Sequence, residues 1–229
     1  MVATTRFVMT VFELLSDYVQ PATLDDSVGD ALALALGQGY QLVPVVDEDE
    51  VLVATTRLPE LVACPDPERP LREHRLNSPI FVASEAHTFD AIELALDNEV
   101  DLLPVIDESG RYLGSVDLSG LLRSAARTLG LGTAGANIEV DISPRDYALA
   151  RLVHTIEENG AKVLSVNTER LPETESDVRV TVKVSVPDPV RIRAVLEHYG
   201  YQVVAVDRRK STAEDIQQRV REFMHYLDV

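Results

Sequence analysis

The chain has very little cysteine. Cys64 is the single thiol among 229 residues, so no disulfide can form within the chain. A chain of this size without disulfides is typical of a reducing compartment, and we expect a cytoplasmic protein. No apolar run approaches the roughly 18 residues that a transmembrane helix needs, and the first residues lack the basic and apolar regions of a signal peptide. We therefore expect no association with a membrane.

Lysine is also scarce, occurring only at Lys162, Lys183 and Lys210. With 21 basic and 38 acidic side chains, the formal net charge is −17. Binding to nucleic acid depends on clustered lysine and arginine, so the sequence predicts no nucleic-acid partner. An acidic, lysine-poor surface also raises the hypothesis of adaptation to high salt, because salt screens the self-repulsion of like charges. An ordinary acidic protein is the alternative.

Patterns that indicate catalysis are missing as well. The sequence contains no P-loop, no serine-nucleophile motif and no glycine-rich dinucleotide motif in a strand-to-helix context. The five histidines are scattered, without an i, i+4 pair or a cysteine partner. We therefore expect neither a catalytic residue nor a metal site nor a resident cofactor, and predict that the protein is not an enzyme.

The most informative feature of the sequence is a repeat with a constant offset of 60 residues. Residues 40–48 (YQLVPVVDE) recur as residues 100–108 (VDLLPVIDE), which sets Pro44 opposite Pro104. The same offset continues through the preceding helical pattern and into the following leucines without a gap. One copy of this size buries too little surface to be robust alone, so we expect the two copies to pack face to face.

Each copy predicts the same α/β unit. A helix follows Ser27 in the first copy and Thr88 in the second, both of them favourable N-caps. Two strands and another helix come next. The predicted strands are residues 42–46 and 51–56 in the first copy, and residues 102–106 and 111–116 in the second.

The two Leu-x-Pro-Val-x-Asp strands, together with Gly114 in the strand after the second of them, resemble a tandem pair of CBS domains. We assign the repeats to residues 1–70 and 71–129. The resemblance implies an α/β pair with pseudo-twofold symmetry and a cleft between its halves. Such clefts take adenosine-containing ligands, and the pair regulates an attached or partner protein. No resident cofactor is implied beyond such a regulatory nucleotide.

The resemblance also implies a nucleotide site in each copy, built on a Thr-x-x-Asp pattern after the third strand. Arg57 and Glu60 stand at these two positions in the first copy, where Glu60 could hold a ribose and Arg57 a phosphate. In the second copy Asp117 would repel phosphate and Gly120 offers no side chain, which leaves a neutral nucleoside as the candidate. The implied ligand-binding residues are Thr23, Gln41, Pro44, Arg57, Glu60, Phe81, Asp101, Pro104 and Asp117. Among them, the resemblance assigns recognition of the base to Gln41 and Asp101, each three residues before its strand proline.

A glycine-rich linker, residues 130–136, separates the repeats from a region with a different pattern. Residues 137–210 predict the order β-α-β-β-α-β, the ferredoxin-like arrangement, with Ser143 capping the first helix. This region resembles an ACT domain, a small sensor that binds amino acids and pairs by joining sheets. The resemblance places its ligand at Asp146 and Tyr147, although the tyrosine ring would narrow that pocket.

Residues 211–229 predict a C-terminal amphipathic helix that packs on its own chain or across a dimer. The order of CBS, CBS and ACT domains is similar to that of the acetoin utilisation protein B family. We expect a homodimer that responds to a small-molecule effector and acts on a protein partner. The alternative is a dimerisation or interaction scaffold with degenerate sites and no ligand. The sequence names neither the ligand nor the partner.

Overall fold

The computed structural model describes residues 10–16, 18–143, 148–171, 178–185 and 189–208. The chain divides into two compact units, Met1–Ala126 and Arg127–Val229. Within the described ranges, no helix combines the length and the apolar character that a bilayer span requires. The predicted helix over residues 211–229 lies outside the described residues.

The first unit consists of two sets of three strands and two helices. The first set is β1 (Ala22–Thr23), α1 (Val28–Gln38), β2 (Leu42–Val46), β3 (Leu52–Arg57) and α2 (Leu58–Val62). The second set is β4 (Val82–Ala83), α3 (Thr88–Asp97), β5 (Leu102–Ile106), β6 (Tyr112–Asp117) and α4 (Leu118–Thr128). In each sheet the middle strand, β2 or β5, pairs parallel with the short first strand and antiparallel with the third.

The strand registers repeat with the 60-residue offset that the sequence shows. Ala22 lies opposite Val45 in the first sheet, and Val82 lies opposite Val105 in the second. Both β2 and β5 contain one register shift, between Val45 and Val46 and between Val105 and Ile106. Because even this register shift recurs at the equivalent position, the two copies share the same strand pairing.

Hydrogen bonds at the contact between the copies are interchanged by the same offset. The Leu52 N–H donates to the Gly110 carbonyl at 3.1 Å, and the Tyr112 N–H donates to the Glu50 carbonyl at 2.9 Å. Tyr112 lies 60 residues after Leu52, and Glu50 lies 60 residues before Gly110, so exchanging the copies converts the first bond into the second. Such a reciprocal pair is what an approximate twofold axis produces, and it joins the two sheets.

Each copy is also covered by the segment that leads into the other copy. Asn77, which precedes the second copy, forms a bridge with Thr55 of β3, and Ser16, which precedes the first, forms one with Ser115 of β6. Apolar side chains from both copies share one core, in which Leu42, Leu102 and Leu103 are nearly inaccessible to solvent. The crossing of the leading segments ties the copies into a single unit.

The predicted N-cap of α3 is wrong by one residue. The Ser27 hydroxyl caps α1 in a capping box with Asp30, as expected. In the second copy, however, Thr88 is the first helical residue and is fully buried, and His87 Nδ1 accepts the Phe89 N–H at 3.1 Å. A neutral imidazole nitrogen can accept the bond that a hydroxyl accepts elsewhere, so the cap lies at His87.

The described residues of the second unit form six elements around one antiparallel sheet. They are β7 (Ala136–Ile142), α5 (Leu149–Glu158), β8 (Val163–Arg170), β9 (Val178–Val184), α6 (Val190–His198) and β10 (Gln202–Arg208). The strand order is β10-β7-β9-β8. Alternate strand residues such as Ile138 and Val182 are fully buried with Leu152 and Leu196 of the helices. The helices therefore cover one face of the sheet.

One predicted feature of the second unit differs in the structure. Helix α5 begins at Leu149, preceded by Ala148, so Ser143 does not cap it, and residues 144–147 lie outside the described ranges. In the glycine-rich segment, a Cβ at Gly135 would overlap the Val184 carbonyl oxygen. Close packing therefore requires a glycine at this position.

Candidate ligand-binding site

Both copies bring two of the implied ligand positions together. The Gln41 carbonyl accepts the Leu58 N–H at 2.8 Å, and the Asp101 carbonyl accepts the Leu118 N–H at 2.9 Å. Leu58 and Leu118 are the first residues of α2 and α4. The positions that the resemblance assigns to the base therefore lie beside the helix starts that carry the positions assigned to ribose and phosphate.

In the first copy the Glu60 carboxylate is the centre of a hydrogen-bond network. Its Oε2 accepts the Arg57 N–H at 3.0 Å, the Thr56 hydroxyl at 3.3 Å and Asn77 Nδ2 at 2.9 Å. Its Oε1 accepts Asn77 Nδ2 at 2.8 Å. Glu60 stands in the first turn of α2, where a carboxylate reaching back to the preceding N–H forms half of a capping box.

These contacts also fix the charge of Glu60. Partial burial raises the pKa of its carboxyl, but the hydrogen bonds from the Arg57 N–H, Asn77 and Thr56, together with the Arg57 charge, outweigh burial and lower the pKa. The side chain is therefore ionised at neutral pH and offers acceptors only. Such a group suits a ligand that presents hydroxyl donors.

Arg57 connects the first copy to the second. Its Nη2 donates to the Asn98 carbonyl at 2.7 Å, at the C-terminal end of α3. The carbonyls at a helix C-terminus carry partial negative charge, which favours a cation there. A guanidinium has five N–H donors, so the group retains donors with which it could contact a phosphate.

The corresponding place in the second copy is anionic. Asp117 Oδ1 accepts the Gly120 N–H at 2.8 Å and the Ser119 hydroxyl, and Arg123 Nη2 lies 3.9 Å away. Burial raises the pKa of the Asp117 carboxyl, but these donors and the Arg123 charge lower it overall. Burial, and then the charges of Asp117 and Asp101, raise the pKa of the Tyr40 phenol. A phosphate would be repelled here.

Asp101 also takes part in the contact between the copies. Its two carboxylate oxygens accept the Gln41 N–H at 3.2 and 3.1 Å. Gln41 itself is exposed. In the second copy, the base position Asp101 is thus already bonded to the first copy. In the first copy, the side chain of the base position Gln41 is exposed to solvent.

Gly114, the glycine that supports the CBS resemblance, has a packing role in this chain. Its φ is +145°, and a Cβ there would lie 3.2 Å from Leu15 Cδ2. The segment that leads into the first copy therefore rests on this glycine. The equivalent residue of the first copy, Ala54, is buried.

The remaining implied residues lie in varied surroundings. Pro44 and Pro104 are buried in the middle strands, and Pro44 lies just before the point where β1 begins to pair, so its missing N–H breaks no bond with β1. Thr23 is exposed, and its N–H donates to Asp26 Oδ2 at 2.6 Å. Phe81 is 42% exposed.

Asn77 is a site residue that the sequence did not indicate. Its contact with Glu60 spans 17 residues and arises because the segment before the second copy lies on β3. No local pattern marks such a contact.

The two positions implied for the ACT-like site, Asp146 and Tyr147, lie outside the described residues. Over the ranges that are described, no group of three or more His, Cys, Asp or Glu side chains is arranged to hold a metal ion.

Comparison with known proteins supports the CBS resemblance for one repeat. Residues 74–127 match the family model of the CBS domain. Inosine-5'-monophosphate dehydrogenase from Methanocaldococcus jannaschii is 25% identical over 99 residues, which are 43% of this chain and 20% of that protein. The chain thus matches only about a fifth of the length of this curated relative.

Several solved structures are also similar to this chain. A CBS domain pair/ACT domain protein from Thermotoga maritima is 21% identical with a TM-score of 0.48, covering 53% of this chain and 99% of that one. CBSX2 from Arabidopsis thaliana is 23% identical with a TM-score of 0.46, covering 52% and 96%, and CBSX2 has also been solved in complex with AMP. The CBS domains of a transcriptional regulator from Streptococcus pneumoniae are 17% identical with a TM-score of 0.46, covering 50% and 97%.

Proposed function

We propose that this chain is a non-catalytic, cytoplasmic regulatory protein that binds an adenosine-type nucleotide, or a small metabolite of like chemistry, between its two repeats. The observation that carries the proposal is an ionised Glu60 carboxylate that accepts the Arg57 backbone N–H, beside an Arg57 guanidinium that bonds the second copy. A carboxylate can accept both hydroxyls of a ribose, and a guanidinium can bind a phosphate through two parallel bonds. The exposed Gln41 side chain is placed to meet the base.

Signalling follows from the position of Arg57. Because this side chain of the first copy holds a carbonyl of the second, a phosphate that draws it away would change the balance between arrangements of the pair. A ligand shifts such a balance only by the difference of its affinity for the two arrangements. Through this change of arrangement, the small-molecule effector would act on a regulated protein partner.

We further propose that the second unit is a ferredoxin-like, ACT-like domain. Its element order and its strand order β10-β7-β9-β8 support this assignment. The combination of a CBS pair with such a domain supports a relation to the acetoin utilisation protein B family.

A homodimer is the assembly that we propose. Exposed apolar side chains occur in pairs with the 60-residue offset: Leu36 and Leu96, Val53 and Leu113, and Val62 and Leu122. A surface that repeats under the pseudo-twofold favours contact with a second copy of the same chain. Light scattering on a variant with Leu36 and Leu96 replaced by aspartate tests this, and a mass unchanged from that of the wild-type dimer would reject this surface.

A thermal-shift panel of adenosine, AMP, ADP, ATP and amino acids on the intact chain tests the proposed function. A ligand that binds the native state must raise the melting temperature by mass action. We expect a rise with adenosine nucleotides that Glu60→Gln abolishes and that Glu93→Gln, on an exposed residue of α3, leaves intact. A flat response to the whole panel would reject the proposal.

A ligand-free interaction scaffold is the second candidate, and specific contacts favour it. Asn77 and Asn98 already occupy Glu60 and Arg57, and Leu15 rests on Gly114. A flat thermal-shift panel together with a stable dimer would establish this reading instead.

A further inference from the structure

Both oxygens of the Glu60 carboxylate are already engaged within the chain. Oε2 accepts the Arg57 N–H and the Thr56 hydroxyl, and Asn77 Nδ2 lies within hydrogen-bond distance of both oxygens. A ribose diol would bond both oxygens, and the Asn77 amide nitrogen lies between them.

Asn77 also holds a segment of the chain, residues 77–80, on β3. Its two bonds to Glu60 measure 2.8 and 2.9 Å. The other bonds that hold residues 77–80 on β3 involve Thr55 and are longer, from 3.3 to 3.5 Å, which is at or beyond the usual range. The Asn77–Glu60 contact therefore contains the shortest hydrogen bonds that hold this segment.

We propose that Asn77 is an internal competitor for the ribose site, a positioning residue that acts through Glu60. Its Nδ2 atom bridges the two carboxylate oxygens, which the two hydroxyls of a ribose would otherwise bond. Binding of a nucleotide diol exchanges the amide for the hydroxyls and frees residues 77–80 from β3. This inference rests on the proposed function of the same site and adds the residue that sets its affinity.

Exchange at Asn77 provides a route from the ligand to the second copy. The segment that it fastens leads directly into β4, the first strand of that copy. Release of the segment changes how the copies are joined without any motion of their cores. Only a ligand whose hydroxyls bond both carboxylate oxygens displaces the bridging amide nitrogen, so the device distinguishes ribose from dideoxyribose.

Isothermal titration calorimetry on the intact chain tests the inference with AMP and 2′,3′-dideoxy-AMP. Removing a competing bond to a charged group strengthens binding, and we expect Asn77→Ala to bind AMP about tenfold more tightly than wild type. The affinity for the dideoxy compound should stay unchanged, because that ligand does not need the amide to leave. A merely structural role of Asn77 would move both affinities together.

Asn159→Ala is the matched control, since the Asn159 amide donates to the Thr155 carbonyl in the second unit. If wild type binds AMP and Asn77→Ala binds it no more tightly, the inference is wrong while the proposed function stands. If neither protein binds AMP, both fail. Hydrogen exchange of the wild-type protein gives a test without substitution: saturating AMP should speed the exchange of the Asn77 and Ile80 amides, and slower or unchanged exchange overturns the inference.

Discussion

Single residues have diverged between two copies that keep the same backbone. Arg57 and Asp117 occupy equivalent positions with opposite charge, and the residues three positions later are Glu60 and Gly120. Ala54 and Gly114 are likewise equivalent, but the glycine carries Leu15 against it. Substitutions at such positions distinguish residues that stabilise the fold from residues that would bind a ligand.

Gly114→Ala should destabilise the first unit by about 1–3 kcal/mol, because a non-glycine residue at this backbone conformation is strained and its Cβ would press on Leu15. The midpoint of urea unfolding measures the effect. Ala54→Gly is the matched control and should cost about 1 kcal/mol through backbone entropy and one lost methyl group. A Gly114→Ala midpoint equal to wild type would contradict this packing role.

Tyr112 should make stability depend on pH in the alkaline range. Burial raises the pKa of its phenol to about 12, against a smaller lowering by the Ser115 hydroxyl, and its O–H donates to the Val19 carbonyl at 3.1 Å. The raised pKa favours the neutral phenol in the folded state. Its stabilisation is complete below the ordinary tyrosine pKa near 10 and is lost as pH rises toward about 12.

Free energies of unfolding measured from pH 8 to 12 check this expectation. Tyr112→Phe should be less stable at pH 8 by about 1 kcal/mol, for the lost hydrogen bond, and should lose less stability at alkaline pH. Tyr18→Phe, at a side chain that is 90% exposed, is the control and should follow wild type. Parallel curves for wild type and Tyr112→Phe would contradict the assignment.

At the scale of elements, the helices of the two copies begin in different ways. Ser27 and Asp30 form a capping box at α1, while His87 caps α3 with Asp90 in the equivalent later position. The repeat thus contains one complete and one incomplete version of the same N-terminus. This difference allows a direct comparison of cap strength within one chain.

Ser27→Ala should destabilise the protein by about 1 kcal/mol, because it removes a side-chain acceptor from the first turn. His87→Ser should stabilise it by about 0.5 kcal/mol, since the hydroxyl and Asp90 would complete the box. Denaturant midpoints followed by circular dichroism measure both changes. Loss of stability in His87→Ser would show that the imidazole contact with Phe89 outweighs the cap.

Elements with strong local patterns were predictable from the sequence. The bounds of β2 and β5 agree with prediction because buried apolar runs end in acidic turns. The start of α5 could not be predicted, because Ser143 has the sequence pattern of an N-cap although the helix begins at Leu149. Of the candidate site, the CBS resemblance implied Arg57 and Glu60. Asn77 could not be found, because its contact depends on how the leading segments cross.

For the whole molecule, charge is the dominant physical property. A net charge of −17 opposes compactness by self-repulsion, and salt relieves it. The high-salt hypothesis predicts a melting temperature that rises continuously from low salt to molar potassium chloride. Screening alone is nearly complete by about 0.15 M, where the Debye length is about 8 Å. A melting temperature that levels off there, or falls, would support an ordinary acidic protein.

The central claim is that the two repeats close on a ligand site at Arg57 and Glu60. Equilibrium dialysis of the intact chain against labelled AMP tests it most directly, with Glu60→Gln and Glu93→Gln run in parallel. The account predicts saturable uptake by wild type and by Glu93→Gln, and none by Glu60→Gln. Absence of uptake by wild type at millimolar AMP, or equal uptake by all three proteins, would contradict it.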